Sequence, residues 1–187
     1  MIYEEGNYYH IFNRGYNKNN IFFCLGNYDY LIKRMNCTYK KLKISIIAFS
    51  LMPNHYHFLL RQDSNTPISE WLRILFSGYV LAVNKQQNRS GSIFEGKPKK
   101  KVIRRIEYLQ HLIYYIHFNP VKAGLVANPH HWKYSNYLEC IGKREELPHD
   151  EITINEMFGS SKEYESFVEG YYFDEQINNS MKKYYLS

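Results

Sequence analysis

The chain reads as α+β: a ferredoxin-like antiparallel sheet packed with helices and followed by a C-terminal helical extension. Three observations predict this. Segments of β-former density alternate with segments of helical period in the order β, α, β, β, α, (β), α. Two strand-like runs, 44–52 and 55–61, are parted only by Pro53-Asn54, which is turn chemistry and makes them a hairpin. The 187 residues, 44% of them hydrophobic, are enough for one proper core and too few for two large ones. We therefore expect one domain over 1–187, with 121–187 as its C-terminal extension.

The elements follow in order. NYYHIFNR (7–14) is dense in β formers, and Gly15 with Asn17, Asn19 and Asn20 closes it as a loop. Residues 27–42 are helical in pattern, with Asn27 placed to cap and Tyr30, Leu31, Met35, Thr38 and Leu42 near one face. ISIIAFSLM (44–52) reads as a buried strand, and HYHFLLR (55–61) is its hairpin partner. The next helix spans 66–86, where Thr66 can cap, Pro67 suits the first position and Glu70 lies in the first turn. SIFEGKPKKKVIRR (92–105) is a basic loop with a possible strand at its end. A helix over 106–118 must stop or bend at Asn119-Pro120. A last helix, NEMFGSSKEYESFVEGYY (155–172), is interrupted at Gly159-Ser160-Ser161.

Composition narrows the function. A formal net charge of +6 favours anionic partners without choosing among them. Aromatics reach 17%, with 19 tyrosines, a residue that suits a core and a base-stacking platform alike. No run of about 18 apolar residues exists to span a membrane, and the N-terminal stretch lacks the apolar region of a secretory signal. Three cysteines (Cys24, Cys37, Cys140), far apart and without a CxxC pair, read as reduced thiols of a cytoplasmic protein. There is no P-loop, GxSxG or HExxH.

The stretch MPNHYHFLL carries the first candidate site. Residues two apart on a strand share a face, so His55 and His57 point one way and Tyr56 the other. Two imidazoles about 6–7 Å apart along a strand are either two satisfied histidines or a pair that converges on a metal ion. In the helix 106–118, Leu109, Leu112, Ile113 and Ile116 follow the i, i+3, i+4, i+7 rule and form the core stripe. Tyr115 lies roughly 110° from the centre of that stripe, and Tyr114 lies nearly opposite it, facing outward. Tyr108 and Asn119 fall on the same flank as Tyr115, where a side chain is held firmly yet reaches solvent. Together, a metal-binding pair and a flanking tyrosine are the parts of a phosphodiester-cleaving site. The cation offsets charge on a phosphate oxygen and the tyrosine attacks phosphorus. The run Lys97, Lys99, Lys100, Lys101, Arg104, Arg105 is a candidate phosphate-contacting surface or a solvated loop. Trp71 and Trp132 are expected to be packing residues.

These motifs resemble the single-tyrosine HUH transposases, named for His, a bulky hydrophobe, His, and within them the REP-associated tyrosine branch. The resemblance rests on HYH in MPNHYHFLL and on YYIHFNPVKAGLV about 60 residues later. YYHIFNRGYNKNNIF, IFEGKPKKKVI, NPVKAGLVANPHHWKYSNY and EMFGSSKEYESFV extend it over most of the chain. It implies that His55 and His57 are metal ligands, that Tyr115 is the nucleophile, and that Asn119, four residues on, is the third ligand. It also implies that Arg14 contacts DNA. Imidazoles alone would suggest zinc, whereas the resemblance implies Mg2+ or Mn2+. The implied activity is cleavage and rejoining of single-stranded DNA beside a hairpin through a 5′-phosphotyrosine. The alternatives are a non-cleaving regulator that binds repeat hairpins and a metal-dependent nuclease that uses water. Insertion-sequence relatives are dimers that exchange tyrosine helices. The repeat-associated branch, and the long extension here, lead us to expect a monomer.

Overall fold

The computed structural model describes residues 3–173; the end of the expected extension, 174–187, and the first two residues lie outside the described residues. Four strands, β1 (Tyr8–Arg14), β2 (Ile44–Met52), β3 (His55–Gln62) and β4 (Lys99–Ile103), form one sheet in the order β2-β3-β1-β4. Every neighbouring pair is antiparallel. With α1 (Leu25–Thr38) between β1 and β2, and α2 (Ile68–Gln86) between β3 and β4, this is the ferredoxin-like split βαβ. The expected strand at the end of the basic loop is therefore real, and it is an edge strand, opposite β2.

Strand parity divides the buried side chains into two cores. Tyr9, Ile11, Tyr56, Phe58 and Leu60 pack with Leu31 and Met35 of α1 and with Trp71, Leu75 and Tyr79 of α2. On the other face Ala48, Leu59 and Ile103 pack under α3 (Ile106–Lys122), whose Leu109, Leu112, Ile113 and Ile116 are all buried. The remaining helices, α4 (Tyr137–Cys140), α5 (Glu151–Phe158) and α6 (Ser161–Phe173), complete this second core with Tyr137, Ile154, Tyr164 and Val168. A bulge in β2 between Ile46 and Ala48 resets its parity against β3. It turns Ile47 toward α3 while Ile46 and Phe49 face α1 and α2.

Three local expectations are corrected. The helix does not stop before Pro120: α3 runs on to Lys122, and the Ala123 N–H donates to Asn119 O at 2.9 Å and the Leu125 N–H to Pro120 O at 3.0 Å. Proline removes one donor and disfavours helix in the preceding residue. Here Asn119 and Pro120 are both buried, and tertiary packing overrides that local preference. Tyr114 does not face outward. It is 2% exposed, and its ring lies 5.1 Å from Phe118 and 4.6 Å from Tyr171, because α6 covers the outer face of α3. At the helix starts, Cys24 takes the N-cap of α1, while Asn27, inside the helix, accepts the Phe23 N–H at 2.9 Å. Pro67 is the N-cap of α2, and buried Gln62 accepts the Ile68 N–H at 3.1 Å. The two tryptophans are packing residues as expected, each donating its indole N–H inward, Trp71 to Thr38 at 2.9 Å and Trp132 to Leu51 O at 3.2 Å.

Candidate active site

The site begins at the β2–β3 turn. Met52 pairs with His55 across a two-residue Pro53-Asn54 turn, so β3 opens on the first histidine. The turn is lashed to the loop after β1. Gly15 N–H donates to Asn54 O at 2.8 Å, Ile21 and Phe22 N–H donate to Pro53 O at 2.8 and 3.0 Å, and Asn54 Nδ2 donates to Lys18 O at 3.2 Å. A Cβ on Gly15 would stand 1.9 Å from Asn19 O, which is why this tight loop has glycine there.

The alternation expected for β3 is observed. Tyr56 is turned to the α1–α2 core, its ring stacked 4.6 Å from Phe76, while His55 and His57 face α3. Their rings meet edge to face with centroids 5.2 Å apart. Each is held at Nδ1: that of His55 lies 2.6 Å from Asn54 Oδ1, and that of His57 lies 3.0 Å from Nε2 of His10 on β1. His57 is 7% exposed and His10 is 4% exposed. Burial is the first cause that lowers the pKa of each of the three. His57 falls well below the ordinary value, with the neighbouring histidines adding to the shift. His10 is pushed down to about 3, with Lys101 as its second cause. For His55 the Asn119 side chain partly offsets burial. These imidazoles are therefore neutral near pH 7, the form in which nitrogen binds a metal.

α3 brings the other half. Asn119 Oδ1 lies 3.4 Å from Nε2 of His55, and the Tyr115 ring stands edge-on to His57 with centroids 5.5 Å apart. Tyr115 is half-buried. Burial raises its hydroxyl pKa above the ordinary tyrosine value, and a hydrogen bond with the Asn119 side chain draws it back. The Lys122 ammonium lies over the Tyr115 ring, 5.3 Å from its centroid. The flank derived from the helical period, Tyr115 with Asn119, is thus the flank that meets the histidines. Among the described residues no three His, Cys, Asp or Glu side chains form a ligand cluster. One imidazole nitrogen and one amide oxygen, those of His55 and Asn119, meet there, and His57 shares their face of the sheet.

A cleft of about 630 Å³ opens beside the pair, lined by Phe12, Arg14, Lys18, Asn54, His55, His57, Glu95 and Lys99. Arg14 pairs with His55 across the strands, and its guanidinium is engaged by Glu95. The basic run does not form one surface. Lys99 and Lys101 pair with Phe12 and His10 and share the histidine face. Lys100 pairs with Ile11 on the opposite face, its ammonium 3.7 Å from the centroid of the Tyr3 ring. Lys97 lines the cavity on that opposite side, with Tyr3, Phe76 and Phe94. Arg104 and Arg105 are exposed at the β4–α3 turn, where Arg105 lies 3.6 Å from Glu107. The alternation of a short strand at the sheet edge splits what reads as one cluster in sequence.

The sequence reading missed His10, Asn54 and Lys122. Strand parity puts His10 on the Phe12 side of β1, but its meeting with His57 depends on the β1–β3 register, which no local pattern reveals.

A ferredoxin-like sheet with two histidines on one face, and a helix that lays a tyrosine and an asparagine over them, defines the class of architecture. The family model described as "Transposase IS200 like" matches residues 4–97, half of the chain, and the chain belongs to that family. The match includes His55 and His57 and ends before α3. In a Haemophilus influenzae protein named as a REP-associated tyrosine transposase, 114 residues align at 28% identity, covering 56% of this chain. The chain spans 64% of the length of that relative. The solved structure of a REP-associated tyrosine transposase bound to a REP hairpin superposes with a TM-score of 0.66 at 19% identity. It covers 80% of this chain and 90% of that one, and shares the fold. No described helix is long and apolar enough to cross a membrane.

Proposed function

We propose that the chain cleaves and rejoins single-stranded DNA next to a hairpin, with Tyr115 as nucleophile and a covalent 5′-phosphotyrosine as intermediate. One observation carries the reading: a single helix flank holds Asn119 Oδ1 3.4 Å from His55 and the Tyr115 ring 5.5 Å from that of His57.

His55 Nε2, His57 Nε2 and Asn119 Oδ1 would hold a divalent cation, Mg2+ or Mn2+. The donor set fits, because both Nδ1 atoms are engaged elsewhere and both rings are neutral. Bound there, the cation would offset charge developing on a non-bridging phosphate oxygen. The chain's own groups do the rest. Tyr115 forms the bond to phosphorus and loses its phenolic proton to solvent, while the bond to the 3′ oxygen breaks and that oxygen takes up a proton. Asn119 hydrogen-bonds the phenol and Lys122 lies over its ring, and both favour the anion that burial opposes. Rejoining is the reverse, with a 3′ hydroxyl attacking the phosphotyrosine.

Lys18, Lys99 and Arg14 at the cleft would contact the backbone of the strand entering the site, with Lys101, Arg104 and Arg105 as further phosphate contacts, while Lys97 and Lys100 lie on the opposite side of the sheet. A hairpin as the partner is supported by the REP hairpin bound to the solved transposase that shares this fold. A site completed within one chain supports a monomer. Free thiols at Cys24, Cys37 and Cys140 support a cytoplasmic protein.

The test is to incubate the protein with hairpin-bearing single-stranded DNA and Mn2+ or Mg2+ and to look for a covalent adduct on a denaturing gel. The wild type should form it and Tyr115→Phe should not. An adduct that persists in Tyr115→Phe overturns the assignment. Cleavage without any adduct would instead mark a nuclease that uses water, and binding without cleavage a regulator.

A further inference from the structure

We propose that His10 is a positioning residue, one that fixes the ring tautomer of His57 so that Nε2 faces the cation. The inference rests on the metal reading above and concerns a buried residue of β1 outside the proposed ligand set.

His10 Nε2 and His57 Nδ1 are 3.0 Å apart, and both side chains are buried. Their rings stack at 5.2 Å with planes 20° apart, and Phe12 packs on both, at 4.8 Å from His10 and 5.7 Å from His57. A 3.0 Å contact between two ring nitrogens holds one proton, so one ring donates and the other accepts. If His10 donates, His57 carries its own proton on Nε2 and has no lone pair for a cation. If His57 donates from Nδ1, its Nε2 lone pair is free on the α3 side. The second arrangement alone completes the site. It also matches His55, whose Nδ1 meets the Asn54 side-chain oxygen at 2.6 Å. Ligating histidines are commonly oriented in this way by an acceptor on the second nitrogen. Here the acceptor is an imidazole, supplied because residue 10 lies on the sheet face that residue 57 also occupies.

The experiment uses the full chain. Mn2+ affinity is measured by electron paramagnetic resonance for wild type, His10→Phe and His10→Gln, with thermal melts to establish folding. The wild-type histidine tautomers are read from long-range 1H–15N spectra with saturating Mg2+. Phenylalanine keeps the ring and removes the acceptor, and glutamine keeps an acceptor oxygen. We expect His57 as the Nδ1–H tautomer, Mn2+ binding weakened roughly 10- to 100-fold in His10→Phe, and recovery of much of that loss in His10→Gln. The inference is overturned if folded His10→Phe binds Mn2+ as tightly as wild type. It is also overturned if Mg2+-loaded wild type carries the His57 proton on Nε2, a result that stands even if His10→Phe does not fold. Wild type that binds no Mn2+ would remove the metal reading itself, whereas equal binding by wild type and His10→Phe removes only the role of His10.

Discussion

Asn119 and His55, 64 residues apart in the chain, meet with the amide oxygen 3.4 Å from Nε2 of the imidazole. The same asparagine hydrogen-bonds Tyr115, so one side chain ties the helix tyrosine to the strand histidines. Removing it should separate the halves of the site. Asn119→Ala is expected to weaken Mn2+ binding by at least about tenfold, the lower end of what lost outer-shell partners cost. Asn119→Asp, which restores an oxygen donor suited to a hard cation, should recover binding. Titration of Mn2+ by electron paramagnetic resonance decides it.

The split of the basic run predicts that adjacent lysines behave differently. Lys99 lines the histidine cleft, whereas Lys100 points to the other face of β4, against Tyr3. Lys99→Ala should lower the dependence of log K on log salt by about 0.7 for a single strand that ends in the cleft. Lys100→Ala should leave that slope unchanged. Fluorescence anisotropy over a series of salt concentrations measures both.

Gly15→Ala tests the anchoring of the turn before His55. The added Cβ would meet a backbone oxygen at 1.9 Å, so the loop must move, and with it the hydrogen bond from Gly15 to Asn54. A cost of about 1–3 kcal/mol is expected from overpacking, together with weaker Mn2+ binding, because Asn54 holds His55. Denaturant unfolding monitored by circular dichroism gives the first quantity.

Acid should unfold the protein through its buried histidines. His117 Nδ1 lies 2.5 Å from the Tyr164 hydroxyl and Nε2 2.9 Å from Asn136 Oδ1, a pattern a neutral ring satisfies on both sides. Burial lowers its pKa to about 4, against the partial opposition of Asn136 and Glu139. The unfolded chain, with a histidine pKa near 6.5, binds the proton first. The contribution of His117 to stability is thus complete above about pH 6.5 and is lost as pH falls from there toward 4, by an amount on the order of 3 kcal/mol. His117→Gln should be less stable than wild type at pH 7.5 and lose stability less steeply between pH 6.5 and 4. Melting temperatures across that range check the sign.

Tyr164→Phe isolates the other end of that contact. The deletion leaves Nδ1 of buried His117 without its donor and should cost about 1–3 kcal/mol. Because α6 then holds α3 less firmly, yields of covalent adduct should fall less than stability does. Parallel melts and adduct assays compare them.

Periods of 2 and 3.6 are local, so the hairpin at Pro53-Asn54, the shared face of His55 and His57, and the flank shared by Tyr115 and Asn119 were all legible from spacing. Contacts between partners distant in the chain follow from packing instead. The β1–β3 register set His10 against His57. The bulge at Ile47 reset β2, and its carbonyl accepts from Asn136 Nδ2 at 3.1 Å. α6 buried a tyrosine that a lone amphipathic helix would leave in water, and packing carried α3 through Pro120. Both are cases where burial over many contacts outweighs a local preference. A helical wheel gives an angle and strand parity gives a face. Only the packed sheet and helix set the 3.4 Å between His55 and Asn119.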